Sequence, residues 1–412
     1  MCPMSEGSIA KTSTSSMSLR QSSTIEDGSL SLYLHFPFCS RLCGYCDFHK
    51  ELLNRRREEL YFQALAVDTA LAAEELYQNQ DTNKRIALES VYIGGGTPSL
   101  ISPELFERWL KQLRELFDFS NNLEFTVEVN PESANQENLA LFQECGVNRL
   151  SVGVQSFDTH ALKTLDRRHK VEDTLRVFYT ARALGIENIS ADLIFGLPGQ
   201  TLQKLHYDVT ELLELEPSHI SYYQLTVKEN TPLARQVSSG EVTLPDDDTM
   251  ATFYRAGSEF FVEQGYERYE VSSFAKDSKL SRHNTRYWSN KPYLALGPGA
   301  HGYDGAHRYG LVADTDKYVT ALLEDKKRPL VWDKLTKRDR MLEDIMLALR
   351  TAKGLDMRLF RKRHGQSPRK SCQRREYQKL LDDGHLESNN GYLRLSDDAL
   401  ALADEIIARL VV

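Results

Sequence analysis

From residue 30 onward the chain alternates short runs rich in Val, Ile, Leu and Tyr with longer segments whose apolar positions recur every three or four residues. The short runs predict strands over 30–36, 90–93, 123–130, 149–155, 189–195 and 220–227. The longer segments predict helices over 59–77, 103–117, 135–145, 172–184 and 202–215. Ser102 ahead of Pro103 suits an N-cap and first turn, and Gly146 and Gly185 sit where a helix end takes a left-handed residue. Six strand–helix alternations predict a parallel sheet with right-handed crossovers, and six units fall short of a closed eight-fold barrel. The fold class is therefore α/β, an incomplete (β/α)6 barrel.

In such folds chemistry collects at the carboxyl ends of the strands. The first predicted strand ends in a cysteine loop, and the second in Gly94-Gly95-Gly96-Thr97-Pro98. The third ends at Glu128-Val-Asn130, and the fourth at Gln155-Ser156. The fifth carries Asp192 and ends in Gly196-Leu-Pro198-Gly199; the sixth carries Tyr222, Tyr223, Gln224 and Thr226. Polar or glycine-rich groups at every strand end are more than a purely structural barrel needs.

The last 80 residues have a different pattern. Eight Lys or Arg and no carboxylate lie between Arg358 and Arg375, a hairpin is predicted around Asn390-Gly391, and an amphipathic helix from Asp397 toward Leu410. This is a smaller α+β domain. The chain is acidic overall and the basic run has a single interleaved aromatic, Phe360, so a solvated face is favoured over nucleic-acid binding. The expected organisation is a Ser-rich disordered tail over 1–28, the barrel over 29–265, an extension over 266–330 and the accessory domain over 331–412. Eight serines and few large apolar side chains in the first 28 residues give that tail little to bury.

Composition adds limits. With 412 residues, 41% hydrophobic and 27% charged, a substantial core is expected. A net charge of -8 argues against a surface built to coat nucleic acid or an anionic membrane. No apolar run approaches the roughly 20 residues that span a bilayer. The expected setting is a reducing, cytoplasmic compartment, with import into an organelle left open.

Three of the six cysteines, Cys39, Cys43 and Cys46, fall within eight positions. Close-set thiols in a chain of this kind point to a metal rather than disulfides. Zinc is one reading, with His35 or His49 completing a Cys3His set. The other is an iron–sulfur cluster on three thiolates with one iron left open, since clusters normally take four cysteines and Cys2, Cys145 and Cys372 lie far off in sequence. The glycine run lacks the GKS or GKT of a phosphate loop. The formal GxGxxG of Gly297 to Gly302 does not read as the opening of a helix, so a dinucleotide site is discounted. His283-Asn-Thr-Arg-Tyr287-Trp288 sets a histidine beside aromatic surface suited to a planar macrocycle, and histidine is a usual axial ligand of haem iron.

The CxxxCxxC spacing with Tyr45 before the last cysteine, taken with Gly94-Gly-Gly-Thr-Pro98, Gly153-Val-Gln155-Ser-Phe157 and Asp192-Leu-Ile-Phe-Gly-Leu-Pro-Gly-Gln200, resembles the radical S-adenosylmethionine (SAM) superfamily. Within it, the chain resembles the oxygen-independent coproporphyrinogen III oxidase-like family over about nine-tenths of its length. The oxidase itself has a fourth cysteine two residues after the third, where this chain has Phe48. HNxxYW at 283–288 looks instead like the haem chaperone branch of that family, HemW. The resemblance implies a radical SAM barrel with a HemN-type accessory domain and a 4Fe-4S cluster on Cys39, Cys43 and Cys46, with SAM on the open iron. It implies that Tyr33, Tyr45, Gly95, Gly96, Thr97, Glu128, Gln155, Arg167 and Asp192 surround SAM, with Arg168 and His169 as competitors of Arg167. It implies haem as ligand, contacted by His283, and an acceptor protein for that haem. The oxidase, oxidative decarboxylation of coproporphyrinogen III to protoporphyrinogen IX, is the alternative.

Overall fold

The structure is a computed structural model and describes residues 29–78 and 85–411; the expected tail over 1–28 lies outside them. Six parallel strands form the heart of the molecule: β1 (Ser29–Phe36), β2 (Ala87–Gly95), β3 (Asp118–Val129), β4 (Arg149–Gln155), β5 (Asn188–Phe195) and β6 (His219–Gln224), adjacent in that order. The helices between them include α1 (Arg55–Tyr77), α2 (Pro103–Leu116), α3 (Gln136–Glu144), α4 (Thr159–Thr164), α5 (Val171–Ala183) and α6 (Leu202–Glu214).

The extension contributes to both edges of this sheet. β7 (Glu267–Glu270) and β8 (Ser273–Ala275) continue it antiparallel beyond β6. On the other side β9 (Tyr293–Leu296) pairs parallel with β1, so the parallel set has seven strands, not six. Antiparallel β10 (His301–Tyr303), β11 (Arg308–Leu311) and β12 (Leu330–Asp333) complete a twelve-stranded sheet. The run Gly297 to Gly302 leads into β10, a strand, in line with the discounted dinucleotide site. β9 is too short and too distant in sequence from β1 for local pattern to reveal the pairing.

Register explains the inside of the barrel. Leu32, Val91 and Phe125 align, as do Leu34, Ile93, Val127, Leu150 and Ile189. All are buried in the main core cluster, which includes residues of the surrounding helices. The alternate positions are polar: Ser31 beside Ser90 and Glu124, Tyr33 beside Tyr92, Thr126 and Arg149, and Asp192 beside Ser221. Parallel strands buried on both faces are usually apolar throughout. Here only the outward face carries the core, leaving the lumen to polar groups.

Helix ends follow the expected chemistry with one change. Gly146 and Gly185 adopt φ of 92° and 82°. Ser102 is the N-cap residue of α2 but makes no capping bond with its side chain. Its hydroxyl donates instead to Glu58 Oε2 at 2.8 Å, tying α2 to α1. In the C-terminal domain, strands Leu386–Asn389 and Tyr392–Leu395 form the expected hairpin, with Asn390 and Gly391 at φ 50° and 88°. That domain has its own apolar cluster, including Ile345, Phe360, Leu393 and Ile407.

Candidate functional site

After β1 the chain forms a short strand, Phe38–Cys39, paired parallel with Glu51–Leu52. Glu51 N donates to Pro37 O and Leu53 N to Cys39 O, at 2.8 and 2.9 Å, closing the loop that carries Cys43 and Cys46. Arg41 bonds Asp166 at 2.5 Å, Lys50 donates to the Cys46 carbonyl, and Leu233 N donates to Gly44 O at 3.0 Å. All three cysteines of the loop are free thiols. Burial pushes the Cys39 thiol up to about 11, opposed by a hydrogen bond from Thr97 and reinforced by the nearby Cys46 and Cys43.

Neither histidine completes a zinc set here. His35 uses Nδ1 with the Tyr33 hydroxyl at 3.1 Å and Nε2 with the His49 carbonyl at 2.8 Å. His49 Nε2 is bonded to Thr315 Oγ1 at 3.1 Å. No three His, Cys, Asp or Glu side chains among the described residues are arranged to hold a single metal ion. Three thiols on a closed loop fit three corners of a cluster better.

The glycine run is wedged under this loop. Gly96 N donates to Phe36 O at 2.6 Å and Thr97 N to Phe38 O at 2.8 Å. A Cβ on Gly96 would lie 2.5 Å from the Phe38 carbonyl, and one on Gly95, at φ 110°, would strike the His35 ring at 2.7 Å. Glycine is thus demanded by close backbone approach and by a left-handed turn.

Around the adjoining space stand the predicted contacts. Glu128 accepts from Tyr92 OH at 2.8 Å and from Gly95 N at 3.1 Å, and burial raises its pKa. Asp192 accepts from the Ser151 hydroxyl at 3.3 Å; burial raises it too. Gln155 sits at φ 67° with its Oε1 accepting from Tyr223 OH at 2.6 Å. Arg167 donates to Asn130 Oδ1 at 2.8 Å and Asn130 donates to Thr97 Oγ1 at 3.2 Å; burial raises the Tyr45 hydroxyl, opposed by the charge of nearby Arg167. Arg167 Nε is buried without a partner. Arg168 is exposed, and His169 is buried with Nε2 bonded to the Val154 carbonyl at 3.1 Å.

Gly95, Gly96, Thr97, Glu128, Gln155, Arg167, Asp192 and Tyr45 therefore share one end of the barrel with the thiols. Tyr33 lies deeper, stacked on Tyr92 with ring centroids 6.1 Å apart. Tyr92 was missed by sequence reasoning; its signal is its place two residues before Gly94 on the lumen face.

His283 is at the opposite end. It belongs to α9 (Arg282–Trp288; α7, Pro232–Ser238, and α8, Asp247–Glu263, precede it), which packs against Ser90 of β2 and Glu124 of β3, with the His283 ring centroid 5.2 Å from that of Tyr92. Glu124 accepts from the backbone N–H of Arg282 and His283, both at 2.9 Å. The His283 side chain is buried, with Nδ1 bonded to Ser90 Oγ at 2.8 Å and Nε2 to Tyr287 OH at 2.7 Å. It presents no free nitrogen to a haem iron. A similar arrangement lies across the floor, where His219 joins Ser190 Oγ and Tyr269 OH, each at 2.8 Å.

Comparison with known proteins places this geometry. The Radical SAM superfamily model matches residues 33–211 and the HemN C-terminal domain model residues 335–402. The Bacillus subtilis heme chaperone HemW is 35% identical over 338 residues, 82% of this chain and 87% of that protein. The chain belongs to the HemW family. Another relative is the zebrafish (Danio rerio) mitochondrial radical S-adenosyl methionine domain-containing protein 1, 37% identical over 66% of this chain and 60% of its own length. Escherichia coli coproporphyrinogen III oxidase, HemN, described as a radical SAM enzyme, superposes with a TM-score of 0.80 at 22% identity, covering 92% of this chain and 89% of that one; this shows a shared fold. Membership of the radical SAM superfamily implies a 4Fe-4S cluster and SAM. In this HemW-family chain the position two residues after Cys46 is Phe48, a side chain 47% exposed.

Proposed function

We propose that this chain is a haem chaperone-like protein: it holds a 4Fe-4S cluster on Cys39, Cys43 and Cys46, binds SAM beside it, and binds haem for delivery to an acceptor protein. The observation that carries the reading is three free thiols on a closed loop, facing a glycine run and two partly buried carboxylates, with Phe48 where an oxidase-type fourth thiolate would stand.

The cluster, when bound, supplies one-electron chemistry that no side chain here offers. The chain's own groups bind and orient. Glu128 and the carbonyls of Gly95 and Gly96 suit an ammonium, Asp192 suits a ribose diol, and Arg167, with an unspent donor, suits a carboxylate. Tyr45 and Tyr33 flank them. The HNxxYW motif acts in this reading as a brace: His283 closes the floor and does not ligate iron.

Haem titration into anaerobically reconstituted protein tests it, followed by the Soret band. Wild-type protein is expected to shift the band, and His283→Ala to keep the shift while melting at lower temperature. Absence of the shift in wild type overturns haem binding. Its loss in a His283→Ala variant that keeps fold and cluster overturns the brace. Sustained protoporphyrinogen formation with SAM and reductant would instead establish the oxidase.

A further inference from the structure

We propose that Asp208, on α6 and outside the lumen, is a positioning residue for the SAM-binding end of the barrel, acting through the turn that follows Gln155. This rests on the reading that SAM binds at that end.

Asp208 is 1% exposed and makes no ion pair among the described residues, yet it is saturated with donors. Its Oδ1 accepts from Phe157 N at 2.6 Å and from Ser156 Oγ at 2.9 Å. Oδ2 accepts from the same hydroxyl at 2.9 Å and from Gln200 Nε2 at 3.5 Å. A carboxylate taken out of water is costly unless such bonds compensate it. A neutral, apolar residue would serve mere packing at less cost. What the carboxylate offers is acceptor capacity toward two loops at once.

The first loop begins at Gln155. This residue is held at φ 67°, a conformation that side-chain-bearing residues rarely adopt and that persists only where the surroundings enforce it. The next two residues are the ones Asp208 grips. Ser156 Oγ also accepts from Asp158 N at 3.0 Å, and Asp158 caps α4 by accepting from His160 N at 2.8 Å. Lys204 of α6 bonds Asp158 at 3.1 Å, a second strut between the same elements. Beyond α4 the chain folds back, with Arg167 N donating to Leu162 O at 2.8 Å. The same anchor therefore stands behind both Gln155 and Arg167.

The second loop follows β5. Gln200, oriented toward Asp208 by its amide nitrogen, accepts with Oε1 from Gly196 N at 2.8 Å and Leu197 N at 3.3 Å. Asp192 lies four residues before that turn, on the lumen face. One buried carboxylate thus links the ends of β4 and β5, and Gln155, Arg167 and Asp192 converge in front of it without touching it.

The test is equilibrium binding of S-adenosylhomocysteine to anaerobically reconstituted full-length protein, by calorimetry, for wild type, Asp208→Asn, Ser156→Ala, Gln155→Ala and the Gln155→Ala/Asp208→Asn pair. Iron and sulfide content are measured beside it. Asp208→Asn and Ser156→Ala are each expected to weaken binding about tenfold, in line with loss of charge-assisted buried hydrogen bonds, at unchanged iron content. In the pair, Asp208→Asn adds clearly less than its own effect to Gln155→Ala, because the share that runs through Gln155 is already lost while the share through Arg167 and Asp192 remains. A general loss of stability would add in full. If wild type binds and both single variants bind equally well, or if the effects add in full, the inference fails. If wild type itself does not bind, the reading of the site fails and takes the inference with it. Should Asp208→Asn not fold, Ser156→Ala carries the same comparison.

Discussion

At the floor of the barrel His283, His219 and Glu124 have spent their hydrogen-bonding capacity on fixed partners: Ser90 and Tyr287, Ser190 and Tyr269, and two backbone N–H groups. At the mouth, Arg167 keeps an unpartnered Nε and three thiols stand free, beside Glu128 and Asp192 with no cation within ion-pair distance among the described residues. Both ends are polar and largely buried. The difference lies in satisfaction: a saturated polar group braces a fold, whereas an unsaturated one awaits a ligand. Arg149 departs from the pattern, a buried cation that adds to burial in lowering the pKa of both floor histidines while its own Nε has no partner.

The sharpest way to break this contrast is at the thiols. Replacing any one of Cys39, Cys43 or Cys46 by Ala is expected to abolish stable cluster reconstitution, read as iron and acid-labile sulfide per chain. Cys145→Ala, on the helix side of the barrel, is expected to retain both in full. Retention of iron and sulfide by a loop variant would return the mouth to a structural role.

Glu124 tests the other end. Its carboxylate alone satisfies the first two N–H groups of α9, so Glu124→Ala leaves one buried and one partly buried donor without that partner, at a cost of about 2 kcal/mol in unfolding free energy. Urea unfolding reads that cost. S-adenosylhomocysteine affinity, measured on the folded variant, is expected to stay within about twofold. A large affinity loss with little change in stability would show that the floor reaches the ligand directly.

How much of this was legible in sequence follows the range of the interactions involved. Strand 149–155 matches the observed β4 at both ends, and 30–36 misses β1 by one residue, because alternating side chains and short-range turns define them. The cysteine spacing and the glycine run were readable for the same reason: they are local demands of chain geometry. β9 was not readable, since its partner β1 lies some 260 residues earlier and four residues carry no distinctive period. His283 shows the limit most clearly. Its partner Ser90 is 193 residues away, so the bond that fixes the ring is visible only when β2 and α9 are brought together. Asp208 carried no motif at all, because the groups it holds lie about 50 residues earlier.

The floor histidines also set a pH dependence that distinguishes the two ends. Burial lowers the His283 pKa from 6.5 to about 3, with Arg286 and Arg149 nearby acting in the same direction, and His219 is lowered likewise. In the folded protein His283 stays neutral, while in the unfolded chain it takes up a proton as pH falls below 6.5. Between those values the unfolded state binds more protons, so stability drops as pH falls through the window. The mouth carboxylates act oppositely: Glu128 and Asp192 have raised pKa values and lose stability as pH rises through theirs. Comparing a variant with wild type removes these shared contributions. His283→Gln keeps a donor and an acceptor but does not titrate, so wild type is expected to lose about 1 kcal/mol more than the variant between pH 7 and pH 5.5. Urea midpoints at the two pH values measure it. Parallel losses would mean that the imidazole is free to protonate in the folded state, and the floor would then be open rather than closed.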